Sequence, residues 1–368
     1  MRPALLRKAL IGLVAAFFLY IFAMDRVGLL GPDEPRYAAI GREMAWSGDW
    51  VTPRLWGSPW FEKPALLYWM TAVGFRLGLG DDVAPRAGVA LVSIAFLAYF
   101  WRRMSIEFGE LAGWYAAGIL GTSAGWVALS QIGITDLPMS AALAAAMLTG
   151  MPLLEPGRVE WRRSAVVGAL LGLAVLAKGL VPLVLALPLV IALLWRRRWV
   201  DIGVIGLAAL VVAGPWYWLC YLQNGWPFID DFFVRHHFRR FDSDLLQHEQ
   251  PWWFYFPVVV GLLFPWWPLL IGAVRREVLG DQRLLFFIAW VGWGLLFFSA
   301  SRNKLPAYVL PTLPALAGLM ALGSAHGLGE RVSRLLLTLS AVSLLLLPVV
   351  ARVLPTAVLV GLGRSDWR

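Results

Sequence analysis

Apolar runs long enough to cross a lipid bilayer, divided by short arginine clusters, constrain this chain more than any other feature of its sequence. A spanning helix needs roughly 20 predominantly apolar residues, and residues 165–195, 202–222 and 284–300 meet or approach that length. Hydrophobic residues make up 60% of the 368 and charged residues 15%. That is bilayer composition, and it leaves no stretch for a separate soluble domain. The net charge of +9 would suit nucleic acid if the basic residues lined one water-facing surface. Here they punctuate apolar runs, which argues against that class. The single Cys220 lies inside an apolar segment, so it forms no intramolecular disulfide, and no metal-ligand spacing surrounds it.

The basic start and apolar middle of MRPALLRKALIGLVAAFFLYIFA suggest a signal peptide, but no clear small-x-small cleavage site follows, so the segment reads as an uncleaved first span. If Arg2, Arg7 and Lys8 stay in the cytoplasm, as short-loop positive charges favour, spans near 9–29, 85–101, 111–133, 137–154, 165–179, 181–195, 202–222, 252–272, 284–300, 306–324 and 335–354 follow. That gives about eleven spans. Residues 64–80 are short for a crossing and read as an interfacial or re-entrant helix. The clusters Arg158/Arg162/Arg163, Arg196/Arg197/Arg198, Arg275/Arg276/Arg283 and Arg331/Arg334 then fall in the cytoplasm, and loops 30–63 and 223–251 fall outside. The fold expected is an all-α polytopic membrane domain over residues 1–354, followed by a short tail, 355–368.

The exterior loops gather the residues suited to chemistry. Asp33 and Glu34 stand just past one span, and Glu62 and Lys63 just before the next membrane segment. Between them Tyr37, Ile40, Met44 and Ala45 recur at helical spacing while Arg36, Arg42 and Glu43 face elsewhere, the pattern of an amphipathic helix in the interface. Asp136 and Lys178 lie at the exterior ends of other spans. Charges this deep face a polar cavity or a partner, and a purely structural Asp136–Lys178 tie is one reading of them. His236, His237 and His248 share the long loop with Arg239 and Arg240. No HExxH or other standard zinc spacing occurs there, but one of those histidines with Glu62 could hold a divalent cation. Arg302 and Lys304 form a cationic pair suited to phosphate. The tryptophans Trp252, Trp253, Trp266 and Trp267 read as an interfacial aromatic belt.

The motifs DEPRY, GDWVTPRLWGSPWFEKPALLYW, TDLP, AKG, HHFRRF, PWWFY and KLPAYVLPTLPAL run in order from residue 31 to about 316. With them the chain resembles the GT-C membrane glycosyltransferases, in particular the bacterial aminoarabinose lipid A transferases and their protein O-mannosyltransferase-like relatives. The resemblance implies an all-helical fold and transfer of a sugar from a polyprenyl-phosphate carrier to lipid A, a glycan or a protein at the periplasmic face of the inner membrane. It implies Asp33 as catalytic base, Glu62 and Lys63 beside the carrier phosphate, and Asp136 and Lys178 as a second acid and a lysine of the same cavity. It further implies a metal held by Glu62 with His237 or His248. Family members usually continue into a soluble periplasmic domain, whereas this chain stops at GLGRSDWR.

The chemistry expected is an inverting displacement with Asp33, assisted by Glu34 and Asp136, on the acid side, and with Lys63, Lys178, Arg240, Arg302 and Lys304 meeting phosphate. No nucleotide cofactor is expected, because no Gly-rich loop between a strand and a helix is present to cradle a diphosphate. A multi-span lipid or sugar transporter is the alternative class. Transporters often carry internal repeats; no convincing repeat relates the two halves, and the charges collect on one face.

Overall fold

The computed structural model describes residues 3–22, 24–233, 250–273, 281–301, 303–324 and 330–345. Helices dominate: α1 (Pro3–Tyr20), α2 (Asp33–Ser47), α3 (Leu66–Arg76), α4 (Gly80–Phe108), α5 (Glu110–Gly121), α6 (Ala124–Ser130), α7 (Asp136–Gly150), α8 (Trp161–Lys178), α9 (Val181–Leu185), α10 (Leu187–Trp195), α11 (Trp199–Asn224), α12 (Trp226–Ile229), α13 (Tyr255–Leu262), α14 (Leu270–Ala273), α15 (Gln282–Ala300), α16 (Leu313–Leu322) and α17 (Glu330–Leu345). The one sheet among the described residues is a two-stranded hairpin, β1 (Arg54–Leu55) and β2 (Ser58–Pro59). Trp56 and Gly57 both take positive φ at its tip, as a two-residue type I′ turn demands.

Among the described residues, four helical stretches are long and apolar enough to cross a membrane alone: Gly80–Phe108, Asp136–Leu154, Trp199–Asn224 and Gln282–Ala300. Several other expected spans are interrupted, and the interruptions have local causes. The 111–133 run breaks between α5 and α6 at Thr122 and Ser123, which turn their hydroxyls back onto the carbonyls of Gly118 and Ile119. The 252–272 run is divided at Pro265 and Pro268, which lack the N–H that a continuous helix uses. The 64–80 segment forms the short α3, and α4 starts at Gly80, five residues before the expected span, with Asp81 and Asp82 at its positive end.

Helix α7 is the hub. Its alanine-rich surface is buried almost all round, so α4 and α8 can approach closely on different sides. Behind α8 lies α11, and Gly168 and Gly172, one helical turn apart, face it. A Cβ at Gly168 would stand 2.2 Å from the Ile205 carbonyl oxygen, so this crossing depends on small residues. Helix α2 buries Tyr37, Ile40, Met44 and Ala45 against α3, the face read from their spacing.

Described residues of three of the arginine clusters meet at one end of this bundle. Arg198 donates to the carbonyls of Glu155 and Arg158 and to Asp201, Arg196 meets Gln282, and Arg283 pairs with Asp281 and donates to the Glu107 carbonyl. Because α7 runs away from Asp136 and α8 returns to Lys178, those two residues stand at the opposite end, roughly 20 Å distant at 1.5 Å per residue.

Candidate active site

At that opposite end a cavity of about 220 Å³ opens, lined on its polar side by Asp33, Glu62, Lys63, Asp136 and Lys178. Five of the charged residues singled out in the sequence thus converge from four separate segments. Ile134, Val181, Phe297, Phe298 and Leu305 form its apolar wall, with Tyr37 and Tyr308 contributing rings that end in hydroxyls.

Each charge is placed by its local structure. Asp33 is the first residue of α2, where the helix's exposed N–H groups favour an anion. Asp136 holds the same place on α7, with Pro138 in the first turn, where a missing N–H costs no helical bond. Lys178 ends α8, and Gly179 at φ +77° turns the chain away. A cation there is favoured by the exposed carbonyls of the helix terminus. Lys178 Nζ donates to Asp136 Oδ1 at 2.5 Å and lies 4.8 Å from the centre of the Tyr308 ring.

The second charged group is a chain of alternating sign. Arg36 Nη1 reaches Asp33 Oδ1 at 3.4 Å and Glu62 Oε2 at 3.0 Å, and Lys63 Nζ holds Glu62 Oε1 at 3.0 Å. The Arg36 guanidinium also lies over the Trp60 ring. Glu62 is buried, at 6% side-chain exposure, whereas Asp33 is 47% exposed and meets Arg36 only at the long distance. Asp33 is therefore the more accessible of the two carboxylates. Burial, reinforced by the charge of Glu62, pushes the Tyr37 hydroxyl well above its ordinary pKa, so it remains a neutral donor.

Glu34, expected among the catalytic acids, is directed elsewhere. Consecutive helical residues point about 100° apart, and its carboxylate is wholly buried against Arg86 of α4. Burial alone would raise its pKa, but hydrogen bonds from Arg86, Gly133 and Leu30, with the charge of Arg86, hold it below the ordinary value. Lys304 is likewise not among the cavity-lining residues: its ammonium donates to the carbonyls of Ser301 and Gln250. Arg240, Arg302, His237 and His248 lie outside the described residues.

Sequence reading passed over Arg36 and Tyr308. The signal for Arg36 was its spacing, one turn after Asp33. Tyr308 stands in the KLPAY segment, four residues after the lysine that drew attention.

The two histidines expected to share a divalent cation with Glu62, His237 and His248, lie outside the described residues. Both oxygens of Glu62 are held by cations, and among the described residues no group of three His, Cys, Asp or Glu side chains comes together.

Known proteins resemble this chain in both sequence and fold. The family described as Dolichyl-phosphate-mannose-protein mannosyltransferase matches residues 62–218. The undecaprenyl phosphate-alpha-4-amino-4-deoxy-L-arabinose arabinosyl transferase of Pseudomonas aeruginosa strain UCBPP-PA14 is 34% identical over 350 residues, covering 87% of this chain and 59% of the relative. A second such transferase, from Pseudomonas fluorescens strain Pf-5, is 36% identical over 329 residues, covering 84% and 54%. The crystal structure of ArnT from Cupriavidus metallidurans bound to undecaprenyl phosphate superposes with a TM-score of 0.81 at 31% identity, covering 94% of this chain and 65% of that one. The archaeal oligosaccharyltransferase AglB from Archaeoglobus fulgidus, 14% identical with a TM-score of 0.57, shares the fold.

Sequence identity and fold together place this membrane protein in the GT-C family. Within that family the chain is a relative of the aminoarabinose arabinosyl transferases, and it spans just under 60% of the length of the first of them.

Proposed function

We propose that this chain transfers a sugar from a polyprenyl-phosphate carrier to a hydroxyl or phosphate oxygen of an acceptor, with inversion at the anomeric carbon. The observation that carries the proposal is the cavity itself. It brings the half-exposed Asp33 and the cations Lys63 and Lys178 to one lining, beside an apolar wall suited to an isoprenoid chain. Relatives named as undecaprenyl-phosphate aminoarabinosyl transferases, and an ArnT structure holding undecaprenyl phosphate, support it.

The reaction needs little from the protein beyond placement and one base. The acceptor oxygen attacks the anomeric carbon as the bond to the carrier phosphate breaks, and the polyprenyl phosphate leaves with the bonding pair. Lys63 and Lys178 offset the charge on that phosphate. Asp33 takes the acceptor proton, a contribution of about 10²–10⁴-fold in comparable general-base steps. Asp136 holds Lys178 in place, and Arg36 links Asp33 to Glu62. No step requires a nucleotide.

We place the site at the periplasmic face of the inner membrane, with lipid A, the acceptor that the family resemblance implies, as the acceptor to be tested first. Arg158, Arg196, Arg198 and Arg283, gathered at the other end of the bundle, support that orientation. Mass spectrometry of lipid A and surface glycans from a deletion strain tests the whole reading. A sugar should disappear from lipid A and return with the wild-type gene but not with Asp33→Asn. Unchanged lipid A and glycans would overturn the proposal.

A further inference from the structure

Arg86 is the most fully used polar side chain in the described structure, and none of its bonds is made to the cavity. Its Nε and Nη2 grip Glu34 at 2.7 and 2.8 Å, its Nη1 donates to the carbonyls of Met24 and Val27, and its Nη2 also donates to that of Gly28. These contacts engage all the N–H donors that a guanidinium has. Glu34 in turn accepts from the backbone N–H of Leu30 at 2.6 Å and of Gly133 at 2.7 Å. Both side chains are almost completely buried.

Three separate segments meet on this one pair. The first is the connection over residues 24–30. The second is the start of α2, where Glu34 adjoins the base Asp33. The third is the turn at Gly133, three residues before Asp136. That turn lies so close to α4 that a Cβ at Gly133 would stand 2.9 Å from Pro85, the neighbour of Arg86. Glu34, a residue of the first carboxylate-bearing segment, accepts a backbone hydrogen bond from the second, and Arg86 holds it there.

We propose that the Glu34–Arg86 pair is a positioning device that sets Asp33 and Asp136 in register with each other. This rests on the reading of Asp33 as the catalytic base. A buried ion pair whose every donor is satisfied holds its neighbours at fixed distances, and a shift of about 1 Å in a reacting group can lower turnover about 10²-fold. Lysine at position 86 keeps the charge but offers three donors from a single nitrogen. It can hold Glu34 or the 24–28 carbonyls, not both sets with the same geometry.

The test compares wild type, Arg86→Lys and Glu34→Gln in detergent, by amide hydrogen exchange and by turnover of a short-chain polyprenyl-phosphate sugar. Exchange protection should fall together at residues 24–34 and 131–136 and stay unchanged in α8 and α11. Turnover should drop by more than about tenfold while the donor KM stays within about threefold, the split expected when a group acting in the transition state is displaced. If Arg86→Lys does not fold, Glu34→Gln carries the same comparison. Protection lost at only one segment or at neither overturns the proposal. So does joint loss of protection with turnover unchanged, because the pair would then brace the fold without setting the base. Absence of wild-type turnover alongside joint loss of protection would instead refute the assigned reaction, leaving the mechanical link in place.

Discussion

Lys178 ends α8 and Asp136 begins α7, and their side chains meet at 2.5 Å on the cavity wall. Each charge is favoured by its own helix terminus as well as by the other. The lysine is therefore held in one position before any ligand arrives, and the proposed reaction uses it to face the carrier phosphate.

Lys178→Met should leave the Asp136 carboxylate without its cation, lowering stability by roughly 3 kcal/mol as for other broken buried pairs and cutting turnover at least tenfold. Adding Asp136→Asn removes the stranded charge. The thermal midpoint of the double variant should recover while its turnover does not. Recovery of both would make the pair a structural tie only.

Asp33→Asn removes the proposed base with little change of shape. Turnover should fall by about 10²-fold or more, with the variant monodisperse and its affinity for polyprenyl phosphate unaltered. Retention of more than about a tenth of wild-type turnover would assign the base elsewhere, Asp136 being the next carboxylate on the cavity.

The orientation can be read with cysteines, because the one native cysteine, Cys220, is buried. Ser58→Cys on the hairpin and Val159→Cys beside the arginine cluster both place a thiol at an exposed position. An impermeant maleimide applied to intact spheroplasts should label position 58 and not position 159. The reverse pattern would place the cavity in the cytoplasm.

The crossing of α8 and α11 gives a paired test of packing. A side chain at Gly168 would strike the Ile205 carbonyl, whereas nothing lies within 4 Å of a Cβ at Gly206 on α11. Gly168→Val should lower stability by about 1–3 kcal/mol. Gly206→Ala should leave the thermal midpoint unchanged or raise it slightly, because alanine is favoured over glycine within a helix.

The apolar runs made the all-helical membrane fold legible, because the bilayer sets the length of each run independently of its neighbours. Lys178 and Asp136 were legible for a related reason: charge so deep in apolar sequence needs a partner. The roles of adjacent acids were not. Asp33 and Glu34 look alike in sequence, and what separates them is Arg86, distant in the chain and close in the fold. Lys304 looked like a phosphate ligand because its charge was visible and the carbonyls of Ser301 and Gln250, which hold its ammonium, were not. The interruptions at Thr122 and Pro265 are written in residue types, yet whether such residues break a span or only bend it depends on what packs beside them.

The most direct test of the account offers purified protein a short-chain polyprenyl-phosphate sugar and the corresponding nucleotide sugar, with lipid A as acceptor, and follows glycosylated product by mass spectrometry. Wild type should form product from the lipid-linked donor alone, and Lys63→Met, which removes a cation from the cavity, should use that donor less well while remaining folded. Product from the nucleotide sugar with none from the lipid-linked donor would contradict the account.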